Sequence, residues 1–191
     1  MRSQPVSPRS RTRLAVAVAL GVAVLGVLPS VADADRAFLR LDGIAGESNA
    51  QGFENQIDVS AFSWGLTNST TPGGAGGARP AFQDLTVTKA VDAASPPLFA
   101  AVASGQHVAN AVLTVVTAGE QPEQYLRYCL QDLTVSSLQQ DGGGGGHPGE
   151  TVAFSYGRFA IAYGAASASG TRTFVTQGWD LINNLRTTEA C

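Results

Sequence analysis

Apolar and polar side chains alternate along much of the chain, which is the pattern of strands that bury one face. Residues 57–64, 82–89 and 151–163 show this period of two. Residues 108–117 are rich in the β-branched types that favour strands. We predict seven or eight strands, placed at 38–41, 57–64, 82–89, 108–117, 124–139, 151–163 and 171–181.

One segment has the spacing of a helix instead. Leu98, Phe99 and Val102 recur at helical spacing. Ser95 is predicted to cap this helix, Pro96 fits its first position and Gly105 ends it. Many strands and one short helix predict a mainly β fold, an antiparallel β-barrel or sandwich with the helix packed on it.

Two glycine-rich stretches interrupt the predicted strands. Residues 67–80 contain four glycines and two prolines, and residues 141–149 contain five consecutive glycines. Neither stretch has the apolar residues from which a core is built. Both are therefore predicted to be extended, flexible loops.

The first 34 residues have the features of a signal peptide. Four arginines precede an unbroken apolar run over residues 14–28, which is shorter than the roughly 20 residues of a membrane-spanning helix. Small residues at Ala32 and Ala34 fit an export cleavage site. We predict cleavage after Ala34 and secretion of the remaining chain, with a short buried helix or an uncleaved membrane anchor as the alternatives.

The length and charge of the 35–191 segment limit the classes of function that it can have. It has the size of one domain and holds eight basic and fourteen acidic residues, a net charge of −6. This balance provides no basic surface for nucleic acid. No later segment is apolar enough to span a membrane. We predict one exported domain at 35–191 that binds neither nucleic acid nor membrane once the leader is removed.

The residues that carry catalysis in other proteins form no recognisable motif here. His107 and His147 are the two histidines, and they lie far apart without the flanking pattern of a hydrolase or a zinc site. The glycine run at 142–146 lacks the lysine of a phosphate-binding loop. We predict no catalytic, cofactor-binding or metal residues, although a carboxylate pair across a sheet would leave no mark in the sequence.

Cys129 and Cys191 are the two cysteines of the chain. In an oxidising compartment two cysteines of one small domain can pair. The pair would close a loop of about 60 residues, for which chain entropy predicts on the order of 4 kcal/mol of stabilisation. We predict this disulfide. The alternative is that Cys129 is a small buried residue and Cys191 a free thiol in the tail.

Seven short segments then occur in a fixed order between residues 37 and 163. They are FLRLDGIAGES at 38–48, IDV at 57–59, FSWG at 62–65, LTVTK at 85–89, SPPL at 95–98, LQDLTVSS at 130–137 and ETVAFSY at 150–156. In this order they resemble the Hcp family, the haemolysin-coregulated tube proteins of type VI secretion. Each segment is short, but the region over which they are spread, about residues 37–163, makes up most of the 35–191 chain.

The resemblance implies a β-barrel built from two sheets with a flanking helix. It also implies assembly into hexameric rings, which stack into a tube that carries protein effectors, and it implies no active site and no cofactor. Residues 67–80 would be the extended loop that contacts a neighbouring ring. Lys89 and Asp92 are predicted to fix the turn before the helix, and Glu47 to accept backbone N–H bonds in a turn that Gly46 permits.

The leader departs from the family pattern, because tube proteins assemble in the cytoplasm and need no signal peptide. Our leading hypothesis is a secreted, non-enzymatic Hcp-like structural protein that self-assembles into rings. A monomeric extracellular binding module on the same barrel is the second hypothesis, and a secreted hydrolase is the third.

Overall fold

Eleven strands and one helix make up the described part of this computed structural model, which comprises residues 34–68, 80–119, 121–143, 146–167 and 170–187. The predicted signal peptide lies outside it through residue 33, as do residues 69–79 and 144–145 of the two predicted loops and Cys191. All described residues belong to one unit, Asp33–Cys191.

The strands and the helix have these bounds: β1 Arg36–Leu41, β2 Ile57–Val59, β3 Ala61–Ser63, β4 Leu66–Thr67, β5 Ala81–Phe82, β6 Leu85–Ala90, α1 Ser95–Ser104, β7 His107–Val116, β8 Gln124–Asp141, β9 Gly149–Ala166, β10 Arg172–Asp180 and β11 Leu185–Thr187.

Nine strands form a single antiparallel sheet around the two longest strands, β8 and β9. The hydrogen-bonded order is β11-β10-β9-β8-β7-β1-β2, with β6 paired to both β9 and β3. The edge of β9 opposite β8 serves two partners, β6 along residues 149–154 and β10 along residues 158–166. β4 and β5 form a separate two-stranded hairpin. The predicted mainly β, antiparallel fold with one helix is confirmed, and closure of the sheet into a two-sheet barrel stays a prediction.

The predicted strand at 57–64 is divided between two partners. Its first part, β2, pairs with β1, and its second part, β3, pairs with β6. Ser60 lies between them, and its backbone N–H donates to the carbonyl of Thr88 at 2.8 Å. The predicted count of seven or eight strands was too low, because β4, β5 and β11 have only two or three residues and show no alternation.

The helix ends where the sequence predicts, but it begins one residue earlier than predicted and its N-cap is a different residue. Ala94 occupies the N-cap position and makes no side-chain capping bond, while Ser95 is already helical. The predicted cap at Ser95 is therefore wrong, because its hydroxyl is bonded to the backbone N–H of Asp92 and to Glu150. Gly105 ends the helix in the left-handed conformation, with φ of 64°.

The core lies between the sheet and α1. Its largest fully buried side chains include Phe154, Leu113 and Leu133 from the sheet and Leu98 from the helix. A second, smaller cluster on the opposite side consists of Phe38, Phe53 and Val116. The rings of Phe38 and Phe53 are stacked in it. Across the described residues, no helix is long and apolar enough to span a bilayer.

Candidate functional site

A buried ion cluster joins the helix to the sheet. Lys89 of β6 is 1% exposed, and its Nζ lies 2.6 Å from Glu150 Oε1 and 2.6 Å from Asp92 Oδ1. The same ammonium group donates to the carbonyl of Ala90 at 2.8 Å and to Ser95 Oγ at 3.3 Å. The prediction that Lys89 and Asp92 fix the turn before the helix is confirmed.

Glu150 is the member of this cluster that the sequence did not reveal. Its carboxylate accepts hydrogen bonds from Ser95 Oγ at 2.7 Å and Gln140 Nε2 at 2.8 Å in addition to that from Lys89. Burial raises the pKa of this carboxyl, but these donors and the Lys89 charge outweigh the burial and hold the pKa below its ordinary value. Because protein donors surround the carboxylate, the cluster is suited to joining β6, β8, β9 and α1.

The turn at Gly46 and Glu47 is a second anchor for the helix. Glu47 Oε1 accepts the backbone N–H of Ala93 at 3.1 Å, which confirms the predicted role of this carboxylate. Gly46 packs so closely on the next turn that a Cβ there would lie 2.4 Å from the backbone oxygen of Gln56. Position 46 therefore requires glycine, because any larger residue would collide with the backbone of Gln56.

The two histidines do not come together. His107 is exposed and its Nδ1 lies 3.2 Å from Asp132 Oδ1, while His147 is exposed beside the second glycine-rich loop. Within the described ranges no group of three histidine, cysteine or acidic side chains is placed to hold a metal ion.

An aromatic cleft lies where the β4–β5 hairpin meets β9 and β10. Its apolar lining includes Trp64, Leu66, Phe82, Ile161 and Trp179, and its volume is about 590 Å³. The Trp64 ring stacks on Phe159 at 4.4 Å between centroids. We refer to this feature as the aromatic cleft. Sequence reasoning missed it, because its residues come from four strands and the segment before β4.

The β10–β11 hairpin exposes apolar side chains on both of its faces. Val175 of β10 is 65% exposed beside Tyr163 of β9, its partner in register. Leu185 of β11 is 62% exposed and pairs with Asp180. Val175 and Asp180 are an odd number of residues apart in one strand, so Val175 and Leu185 point to opposite faces. The hairpin therefore exposes an apolar side chain on each of its faces.

Asp180 fixes the turn of this hairpin. Its carboxylate accepts the backbone N–H of Asn183 at 2.8 Å, the Asn183 side-chain amide at 2.9 Å and Arg158 Nε at 3.2 Å. These donors, the Asn183 backbone first, lower the pKa of Asp180 to about 2. The turn of the hairpin is thus held in place by a charged residue at the end of β10.

Comparison with known proteins identifies the fold. The family profile described as "Type VI secretion system effector, Hcp" matches residues 38–163, which is more than half of the chain. The chain belongs to the Hcp family. It is 33% identical over 156 residues to Protein hcp1 of Pseudomonas aeruginosa, covering 78% of this chain and 96% of that protein.

Solved Hcp structures share this architecture. A structure titled as a type six secretion system protein is 30% identical, covers 81% of this chain and all of its own, and superposes with a TM-score of 0.75. Hcp1 from Salmonella typhimurium is also 30% identical, covers 81% of this chain and 99% of its own, and has a TM-score of 0.69. β10 and β11 lie beyond the residues that the Hcp profile matches.

One of the two cysteines lies within the described part of the chain. Cys129 lies on β8 within the Hcp-matched residues and is 5% exposed. Cys191 lies outside the described residues, so their disulfide stays a prediction.

Proposed function

We infer that this chain is a secreted, non-enzymatic structural protein of the Hcp type that self-assembles into six-membered rings. The observation that carries the proposal is the Hcp match over residues 38–163, joined to a hairpin that exposes apolar residues on both faces. Ring assembly is the family behaviour that the resemblance implies, and type VI effectors are the cargo it implies.

The β10–β11 hairpin is the surface we assign to ring contacts. Val175 on one face and Leu185 on the other are each more than 60% exposed in the single chain. A neighbouring copy on either side of the hairpin would remove both from water, at a gain of about 1.5–3 kcal/mol for each fully buried aliphatic side chain. Because a ring needs two contacts per subunit, a hairpin that is apolar on both faces suits it.

Export through a signal peptide at residues 1–34 belongs to the same proposal. The arginines, the apolar run and the small residues at 32 and 34 support it. A chain exported in this way folds outside the cell, so its rings would form there and not inside a cytoplasmic tube. The glycine-rich 67–80 loop would make ring stacking weaker than a rigid loop would.

A monomeric binding module is the second candidate. The aromatic cleft favours it, because a cavity of about 590 Å³ with an apolar lining has the size and chemistry of a small-molecule site. The two candidates differ in oligomeric state, which is a measurable property.

Light scattering coupled to size exclusion on residues 35–191 tests the ring directly. We expect a mass near that of six protomers, and we expect Val175→Lys and Leu185→Lys each to reduce it to that of a monomer or small oligomer. Phe99→Lys is the matched control, because Phe99 is equally exposed but lies on α1. A monomer in the unaltered protein would overturn the ring proposal and favour the binding module.

We further infer that Cys129 pairs with Cys191. Cross-strand partners lead from Cys129 through Ala160 and Gly178 to Thr187. These three strand spacings amount to roughly 14 Å. The four residues from Thr187 to Cys191 can span at most about 14 Å, and a disulfide needs its Cα atoms only about 5–6 Å apart.

A tryptic digest prepared without reductant tests this pairing. We expect one linked pair of peptides containing Cys129 and Cys191, which separates when the sample is reduced. We also expect reduction to lower the free energy of unfolding by about 4 kcal/mol. Two unlinked peptides in the non-reduced digest would contradict the pairing.

A further inference from the structure

The aromatic cleft has rigid walls and an apolar interior. Trp64 and Ile161 pack against the main core, so one wall is held by the body of the protein. Leu66 and Phe82 face each other in register on the β4–β5 hairpin and contribute to the other wall. A cavity of about 590 Å³ with such a lining suits the apolar part of a small molecule.

A positive charge stands at the same cleft. Arg186 of β11 lines it and is the register partner of Trp179. Among the ion pairs of the described residues, none includes Arg186. The other polar side chains that the structure shows lining the cleft, such as Gln177 and Asn184, are uncharged. Because the described residues that line the cleft include a cation and no anion, a negatively charged group is favoured over a positive one.

We propose that the aromatic cleft binds a small amphipathic carboxylate. Its apolar body lies among Trp64, Leu66 and Phe82, and its carboxylate accepts hydrogen bonds from the guanidinium of Arg186. Charge-assisted bonds of this kind give the carboxylate its advantage over a neutral head group. This assignment does not depend on ring formation.

Intrinsic fluorescence is a direct probe of this binding. The chain has two tryptophans, and both line the cleft. The protein is titrated with decanoate, decanol and decyltrimethylammonium, each below its aggregation concentration. We expect a saturable spectral change with decanoate, binding at least about tenfold weaker with decanol, and no saturation with the ammonium compound. Equal binding of all three, or no saturation with decanoate, would overturn the proposal.

Variants separate specific binding from adsorption to an apolar surface. We expect Arg186→Gln to weaken decanoate binding about tenfold and to leave decanol binding unchanged. Arg40→Gln is the matched control, because Arg40 is an exposed arginine on β1 and does not line the cleft. Leu66→Glu, which places a carboxylate at an exposed part of the apolar wall, should abolish decanoate binding. Loss of the same affinity in Arg40→Gln would contradict the assignment.

Discussion

Lys89→Met should destabilise the protein by about 3–5 kcal/mol, because it leaves the Glu150 carboxylate buried without its cation. Lys89 is 1% exposed, Glu150 is equally buried, and their charged atoms lie 2.6 Å apart. The Ser95 and Gln140 donors remain, but they do not neutralise the charge. Denaturant unfolding followed by intrinsic fluorescence measures the loss.

Two further variants show whether the loss comes from the unpaired charge. Lys89→Met/Glu150→Leu should recover most of the stability, because an apolar pair can replace a buried ion pair at little cost. Arg40→Met is the surface control, since Arg40 and Asp42 form an exposed pair at 3.6 Å, and it should cost less than about 1 kcal/mol. If Lys89→Met costs no more than this control, the cluster is not a stabilising element.

The pH dependence of these proteins should have opposite signs. In the unaltered protein the pKa of Glu150 lies below its ordinary value of 4.5, so its contribution to stability is present above that pH and is lost as the pH falls through the lowered pKa. In Lys89→Met burial would raise the pKa of Glu150, so protonation relieves the buried charge. The difference in stability between the two proteins should therefore shrink as the pH falls. It shrinks first above pH 4.5, where the carboxyl of the variant takes up its proton, and further below pH 4.5, where the unaltered protein loses stability.

Gly46→Ala should cost about 2–3 kcal/mol, which is a large effect for one added methyl group. The new Cβ would lie 2.4 Å from the oxygen of Gln56 and 2.7 Å from Cα of Ile57. Both are backbone atoms, so no side chain can move aside. Relief requires a shift of Ile57, which is fully buried and opens β2. Thermal or denaturant unfolding reports the change.

Gly143→Ala is the matched control for that substitution. A Cβ at Gly143 would meet no atom within 4 Å. Its stability should be unchanged or slightly raised, because alanine restricts the unfolded chain more than glycine does. Equal losses in the two variants would show that the close approach at Gly46 is not the cause.

Local signals in the sequence were sufficient to predict the helix and the long strands. Gly105 ends α1 as predicted, since a left-handed residue at that position favours glycine whatever the surrounding fold. The same local reasoning failed at Ser95. Its hydroxyl is bonded to Glu150, a residue 55 positions away whose approach depends on the pairing of β6 with β9.

The residues of the candidate sites were harder still to predict, because long-range strand pairing brings them together. Lys89 and Asp92 are three residues apart and could be predicted to meet, whereas Glu150 is 61 residues from Lys89. Trp179 and Arg186 become neighbours of Trp64 only through the order of the strands. The family resemblance supplied the overall architecture, but no periodicity in the sequence marks which polar groups that architecture leaves unpaired.

One edge of β9 pairs with both β6 and β10. Two distant parts of the protein therefore depend on the register of this one strand. Glu150 reaches the ion cluster from the start of this strand, and Ile161 reaches the aromatic cleft from farther along it. A strand that slips by one residue turns every side chain to the other face of the sheet. A misaligned β9 would thus lose the helix anchor and the cleft together. Correct alignment of this one strand is therefore a condition that both the helix anchor and the cleft share during folding.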